Sequence, residues 1–219
     1  MSTTSIADAR RIFGRDFLAP EDVARVLGGA AAAGSDAVPH PPALLQAAHA
    51  RGDVLVFRVA SDGVPLTVMR LLERFPETVQ PRLLQGVGYQ LKDEWTVAQE
   101  PFASTATCTP GWSLVHRAPV PATCNLSYGQ QETALARYAA EIGLAGRLRR
   151  RSAIEIVYDT VLLGRARETR LLEQAWDWSD TPTADGGFVT VGEFGRDGLH
   201  ILGYSRAVRF GNLGVCPQL

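Results

Sequence analysis

The chain holds few residues whose type and spacing suit chemistry, and each has a plainer reading beside it. Four histidines, His40, His49, His116 and His200, stand far apart and share no local motif. His116 and His200 both fall in expected strands, so a shared site stays open, although a strand imidazole is more often packed than ligating. Glu155 and Asp159 are spaced i, i+4 on an expected helix, which puts two carboxylates on one face. Arg151 precedes Glu155 by four residues, so ion pairing on the helix surface explains that face more simply. Arg147, Arg149, Arg150 and Arg151 cluster at the start of this helix, where positive charge opposes the helix dipole. An anion is therefore expected beside them, a carboxylate of the same chain before a bound phosphate. Asp177 and Asp180 flank Trp178 with oxygen ligands but lack the acidic ladder of a calcium loop, which favours loop capping.

Other signatures are missing. The chain has no G-x-S-x-G, H-E-x-x-H or P-loop, and no G-x-G-x-x-G after a strand. Gly86-Val87-Gly88 is too short to cradle a phosphate. Cys108, Cys124 and Cys216 are odd in number, form no C-x-x-C and have no histidine at ligand spacing. Neither a metal nor a cofactor is expected, and the cysteine usage fits a reduced, cytoplasmic protein. A net charge of −1 makes no case for nucleic acid or an anionic membrane as partner. The N-terminus lacks the apolar core of a signal peptide, and no stretch approaches the ~18–20 apolar residues of a membrane helix. Of 22 basic residues only Lys92 is a lysine, which codon bias in a GC-rich bacterial genome is enough to explain.

The elements that must position these residues are more legible. Residues 3–50 read as three short helices: SIADARRIF, APEDVARVLGG with Pro20 at its first position, and PPALLQAAHARG, the last two separated by a small-residue linker. DVLVFRVASDG reads as a strand with a turn, and VPLTVMRLLERF as a helix stopped by Pro76. Residues 76–110 read mostly as loop, with a strand weighed at EWTVAQ. GWSLVHRAPVP is a strand whose two prolines keep its far end out of a sheet interior. CNLSYGQQETALARYAAEIGL is a helix capped by Ser127, and RRRSAIEIVYDTVLLG is a second helix ended by Gly164. Trp176 and Trp178 follow, then three strands, GFVTVGEF, LHILGY and LGVC. Strand, two helices, loop and small antiparallel sheet make an α+β order with no βαβ alternation.

From Pro121 to Leu219 these segments resemble the formylglycine-generating enzyme (sulfatase-modifying factor) family, a branch of the C-type-lectin-like fold. That family runs N-V-S-W, R-L-P-T-E-A-E-W-E-Y-A, W-E-W-T, R-G-G-S-F and N-L-G-F-R-C in order. Here the positions read Asn125-Leu126-Ser127-Tyr128, then Arg147-Leu148 with Ala153-Ile154-Glu155-Ile156-Val157-Tyr158. Trp176-Asp177-Trp178-Ser179, Gly186-Gly187-Phe188 and Asn212-Leu213-Gly214-Val215-Cys216 complete the set. The family's oxidases carry a copper-binding cysteine pair shortly before the final strand. GLHILGYSRAVRFG has no cysteine there, so the resemblance does not carry that activity over. The architecture without its catalytic residues resembles ligand-binding modules such as the variable proteins of diversity-generating retroelements.

The expectation is an N-terminal helical portion, 1–52, and a C-type-lectin-like domain, 53–219, with two helices and a small antiparallel sheet. It would be a non-catalytic module binding a protein or small molecule through its C-terminal loops, with homo-oligomerisation left open. Asp177, Asp180, Asp185, Tyr204, Arg206, Arg209 and Asn212 are the candidate ligand contacts. A metal- or thiol-dependent enzyme, using Cys108, Cys124 or a His116–His200 site, and a structural subunit of a phage or other particle are the alternatives. The two tryptophans read as fold anchors, and Gly186-Gly187 as close backbone packing at a strand entry.

Overall fold

Local chemistry sets most of the helix ends. In the computed structural model, residues 2–29, 37–76, 97–196 and 198–219 are described. Ser5 caps α1 (Ile6–Phe13) by accepting from Asp8 N. Pro20 opens α2 (Pro20–Leu27), the Asp22 carboxylate accepts from Ala19 N, and Gly28 closes it in the left-handed region. The third helix is α3 (Pro42–Ala50), and Thr67 caps α4 (Val68–Arg74). A short α5 (Pro101–Thr105) precedes the two long helices, α6 (Tyr128–Glu141) and α7 (Ala153–Arg167). Ser127 and Ser152 stand at their N-caps, and at each the residue three further on accepts from the cap's backbone N–H.

Three sheets organise the described residues. β1 (Thr4–Ser5) pairs antiparallel with β3 (Ala37–Val38). β2 (Phe17–Leu18), β4 (Asp53–Arg58) and β5 (Gly111–His116) form the second, β4 being central, parallel to β2 and antiparallel to β5. The third has the order β8-β7-β6-β9, from β6 (Trp176–Pro182), β7 (Phe188–Gly195), β8 (Gly198–Tyr204) and β9 (Leu213–Gly214). After β9 the chain turns back to β5: Leu219 N and O bond Leu114, and His116 N donates to Pro217 O. Gln218 exchanges both backbone bonds with Arg149 on the other side, so the C-terminal strip lies between β5 and the link before α7.

β4 is buried at all six positions, which is why its alternation is weak in the sequence. Leu55 and Leu114 face α1 and α3 in a smaller cluster with Phe13, Phe17 and Leu45. Val54, Val56 and Val115 face the main core, which α2, α4, α7 and the four-stranded sheet fill from the other side. Segments before residue 53 therefore contribute to both clusters. The mixture of helices and small sheets is α+β.

Several expectations need correction or fall outside the described residues. Gly164 does not end α7, which continues to Arg167 and stops at Glu168 in the left-handed region. Gly164 instead admits the Phe194 ring, which would lie 3.1 Å from an added Cβ. The arginines precede Ser152 rather than opening the helix. The Trp-x-Trp segment is itself a strand, because Trp176 and Asp177 pair with Leu213 and Gly214 on one side and with Gly192 and Val191 on the other. Val97–Gln99, the described part of EWTVAQ, is a 3-10 turn; residues 77–96, which contain Gly86-Val87-Gly88, lie outside the described residues, as does linker 30–36.

Candidate functional site

The polar residues that looked most chemical form a closed network in the interior. Arg58, at the end of β4, donates from Nε (2.8 Å) and Nη2 (2.6 Å) to the two oxygens of Asp159 on α7. Its Nη1 reaches Glu155 Oε1 at 3.0 Å and Gln218 Oε1 at 2.6 Å. Arg151 donates from Nε (3.1 Å) and Nη2 (2.8 Å) to Asp177 Oδ2, and from Nη1 (2.9 Å) to Asp159 Oδ2. The other Asp177 oxygen accepts from Cys216 N at 2.8 Å. Glu155 also receives Arg149, Gln218 Nε2 and Ser152 N.

Charge balance explains how such groups stay buried. Three guanidiniums (Arg58, Arg149, Arg151) meet three carboxylates (Glu155, Asp159, Asp177), and of the six only Arg149 has an exposed side chain. Burial pushes the Glu155 acid upward, but the hydrogen bond from Arg149 and the charge of Arg58 overcome it and hold the pKa at about 2. Burial disfavours the Arg151 cation too, yet Asp177 and Asp159 more than offset that and raise its pKa. The i, i+4 acids are therefore not a surface ion-pair face. The anions expected beside the arginine cluster are carboxylates of the same chain: Glu155, Asp159, Asp177, and Glu132 for Arg150.

Asp177 is thereby corrected as a ligand contact. It sits between the tryptophans on a strand, so its side chain points away from theirs, and it is fully buried against Arg151. Trp176 and Trp178 are buried as well, Trp178 edge-on to Tyr128 and Trp176 edge-on to Tyr204 and His200.

The remaining candidates lie at the surface. Tyr204 ends β8 and meets the ring of Phe210 at 5.6 Å. Arg206 lies over Phe188 at 4.8 Å, Phe188 stacks on Tyr128 at 3.9 Å, and Arg150 covers the other side of Tyr128 at 4.2 Å. Two guanidiniums thus bracket two stacked rings, an arrangement favoured by the negative faces of the rings. Arg209 and Asn212 are exposed on the same segment, and Asn212 Nδ2 donates to Gln174 O at 3.4 Å. Asp180 is exposed at the end of β6, and like Arg206 it acts on the Tyr128 phenol, whose pKa burial raises. Asp185 is exposed in the β6–β7 turn, where it accepts from Thr183 Oγ1 and Gly187 N.

Backbone bonds hold the segment after β8 in place. Tyr128 N donates to Arg206 O (3.1 Å), Asn125 N to Phe210 O (2.9 Å) and Trp176 N to Asn212 O (2.8 Å). The β6–β7 turn abuts it: a Cβ on Gly187 would stand 2.5 Å from Tyr204 O, which is the close packing the Gly-Gly pair implied. Phe210 is nevertheless 43% exposed, one of two exposed large apolar side chains among the described residues. Tyr128 and Phe188 were missed from sequence, since an aromatic residue at a helix or strand start reads as core, and Phe210 was not singled out within the expected binding loop.

The other candidate chemistry is less well supported by its surroundings. His116 has Asp53 and Tyr138 as neighbours, whereas His200 lies beside Glu193 and Trp176. Burial pushes the Cys108 and Cys216 thiols well above their ordinary range and Cys124 upward, which opposes thiolate formation. Among the described residues no cluster of three or more His, Cys, Asp or Glu side chains is placed to hold a metal, and no helix is long and apolar enough to cross a membrane. Comparison with family models, curated proteins and solved structures finds no match to this chain.

Proposed function

We propose that the chain is a C-type-lectin-like binding module that engages another protein through the segment from Tyr204 to Asn212. The observation that carries the reading is Phe210, a large apolar side chain 43% exposed on a segment whose backbone is pinned at Arg206, Phe210 and Asn212. An ordered aromatic beside guanidiniums loses little conformational entropy on binding, and aromatic and arginine side chains dominate interface energies. A partner offering an apolar pocket rimmed by carboxylates is complementary to Phe210, Arg206 and Arg209.

The C-type-lectin-like part of the reading draws support from topology. Strand β5 is followed by two helices, the meander β6–β7–β8, and a terminal strip that returns to pair with β5. That order agrees with the motif order from Asn125 to Cys216.

The test is co-purification from the source cell with the unaltered chain and with Phe210→Ala/Arg206→Ala. The reading expects a stoichiometric partner of the unaltered chain that the double variant loses while its melting temperature stays within a few degrees. Retention of the same partner by the folded double variant contradicts it.

A further inference from the structure

A second polar constellation lies apart from the charge network and from the segment after β8. Asp53 opens β4 and His116 ends β5, and the antiparallel register places them directly opposite one another. Arg51 Nη2 holds Asp53 Oδ2 at 2.8 Å. Asp53 Oδ1, buried and without a hydrogen-bond partner, lies 3.1 Å from His116 Nδ1. On the far side of the imidazole, Nε2 is 2.8 Å from the hydroxyl of Tyr138, with the two rings edge-on at 5.5 Å. Carboxylate, imidazole and hydroxyl thus follow one another at 3.1 Å and 2.8 Å, the second contact being a hydrogen bond.

The protonation pattern follows from the surroundings. Burial, with the positive charges of Arg51 and Arg151, lowers the His116 pKa to about 4, so the ring is neutral near pH 7. A neutral imidazole has one N–H and one lone pair. A proton on Nδ1, the nitrogen facing the carboxylate, would leave the Nε2 lone pair toward Tyr138. Burial also raises the Tyr138 pKa, so the phenol stays protonated and in that tautomer donates to Nε2.

Tyr138 is only partly buried and lines an open groove of about 320 Å³ along α6 with Ala122, Leu126, Gln130, Ala134 and Arg137. The groove combines short apolar side chains with the Gln130 amide, the Thr133 hydroxyl, the Arg137 guanidinium and the Glu141 carboxylate. The groove runs the length of α6, and Tyr138 lies toward its C-terminal end, ten residues and about 15 Å along the helix from Tyr128.

We propose that Tyr138 is an acyl-accepting nucleophile, with His116 as its general base and Asp53 orienting the imidazole, acting on activated esters of short carboxylic acids. Tyr138 Oη attacks the ester carbonyl carbon as its proton passes to His116 Nε2. The bond from that carbon to the leaving oxygen breaks, and the leaving group departs with the electron pair and takes the proton from the imidazolium. The products are a Tyr138 acyl ester and the free alcohol. Nucleophile, base and orienting carboxylate hold the order that nucleophilic catalysis requires.

The test uses the full chain and p-nitrophenyl acetate. The proposal expects a burst of one p-nitrophenolate per chain, an acetyl group mapped to Tyr138, and unmodified Tyr128 and Tyr204. Tyr138→Phe abolishes the burst, and His116→Gln slows it roughly a hundredfold. Peptide mapping of the unaltered chain decides the matter even if a variant folds poorly. Acetylation confined to other nucleophiles, or a Tyr138 adduct formed at an unchanged rate in folded His116→Gln, overturns the proposal.

Discussion

Arg151 donates two hydrogen bonds to Asp177, and neither side chain reaches solvent. The pair joins the link before α7 to the strand that carries both tryptophans, and Asp177 passes the tie on to Cys216 N. Removing one partner strands a buried charge, whereas removing both removes that penalty. Asp177→Asn is therefore expected to cost about 3–5 kcal/mol. The double variant Asp177→Asn/Arg151→Met should cost clearly less than the sum of the single changes. Urea unfolding of the four proteins measures the coupling, and additive losses would show that the pair does not act as a unit.

Glu155 sets an acid limit. Its folded pKa of about 2 lies below its ordinary 4.5. The unfolded chain therefore takes up its proton first, so the stabilisation is complete above pH 4.5 and is lost as pH falls toward 2. The shift corresponds to about 3 kcal/mol. Unfolding midpoints from pH 7 down to pH 2 should fall in this window for the unaltered chain. For Glu155→Gln they should start lower and fall less steeply.

How much of this was legible depends on sequence distance. The cap at Ser127, Pro20 at the start of α2 and Gly28 at its end act on their own neighbours, so the sequence displays them directly; Ser152 was not read as a cap because the arginines before it continue the helical pattern. The tryptophan anchors were readable from the motif order, and the Gly186-Gly187 approach from the glycine pair at a strand entry, although their contacts lie farther along the chain. Arg58 was not: it ends an apolar strand, and its partner Asp159 lies 101 residues away. Gln218, the penultimate residue, likewise acquires its role only when the chain end returns to β5. Asp177 was misread because the Ser-Asp-Thr-Pro stretch that follows Trp178 resembles loop chemistry, and only the pairing of β6 on both edges shows that Asp177 must point inward. Phe210 shows the converse: its exposure belongs to the fold and not to its residue type.

Gly187 tests the packing behind the proposed surface. An added Cβ would stand 2.5 Å from Tyr204 O, a backbone atom with no free rotation to relieve the clash, whereas one on Gly211 would meet nothing within 4 Å. Gly187→Ala is expected to cost about 2–3 kcal/mol and Gly211→Ala far less. Thermal melting of both variants checks the contrast.

His116 should titrate far from the range usual for histidine. Burial first, then Arg51 and Arg151, lowers its pKa to about 4. The unfolded chain therefore binds the proton first, and this residue's contribution to stability rises with pH from about 4 to its ordinary 6.5. Asp53, raised to about 6 mainly by burial, works in the opposite sense between 3.8 and 6. An NMR titration of the imidazole should give a midpoint near 4 for His116, and a midpoint near 6.5 would show that its surroundings do not disfavour the cation.

The central claim is that the segment from Tyr204 to Asn212 meets a protein partner. A photoreactive phenylalanine analogue placed at position 210 in the source cell tests it most directly, with the same group at Glu141 on the far end of α6 as control. The account predicts one discrete cross-linked species from position 210, absent from Glu141 and lost when Arg206 and Arg209 are both changed to alanine. Equal cross-linking from both positions, or none from position 210 in a folded protein, would contradict it.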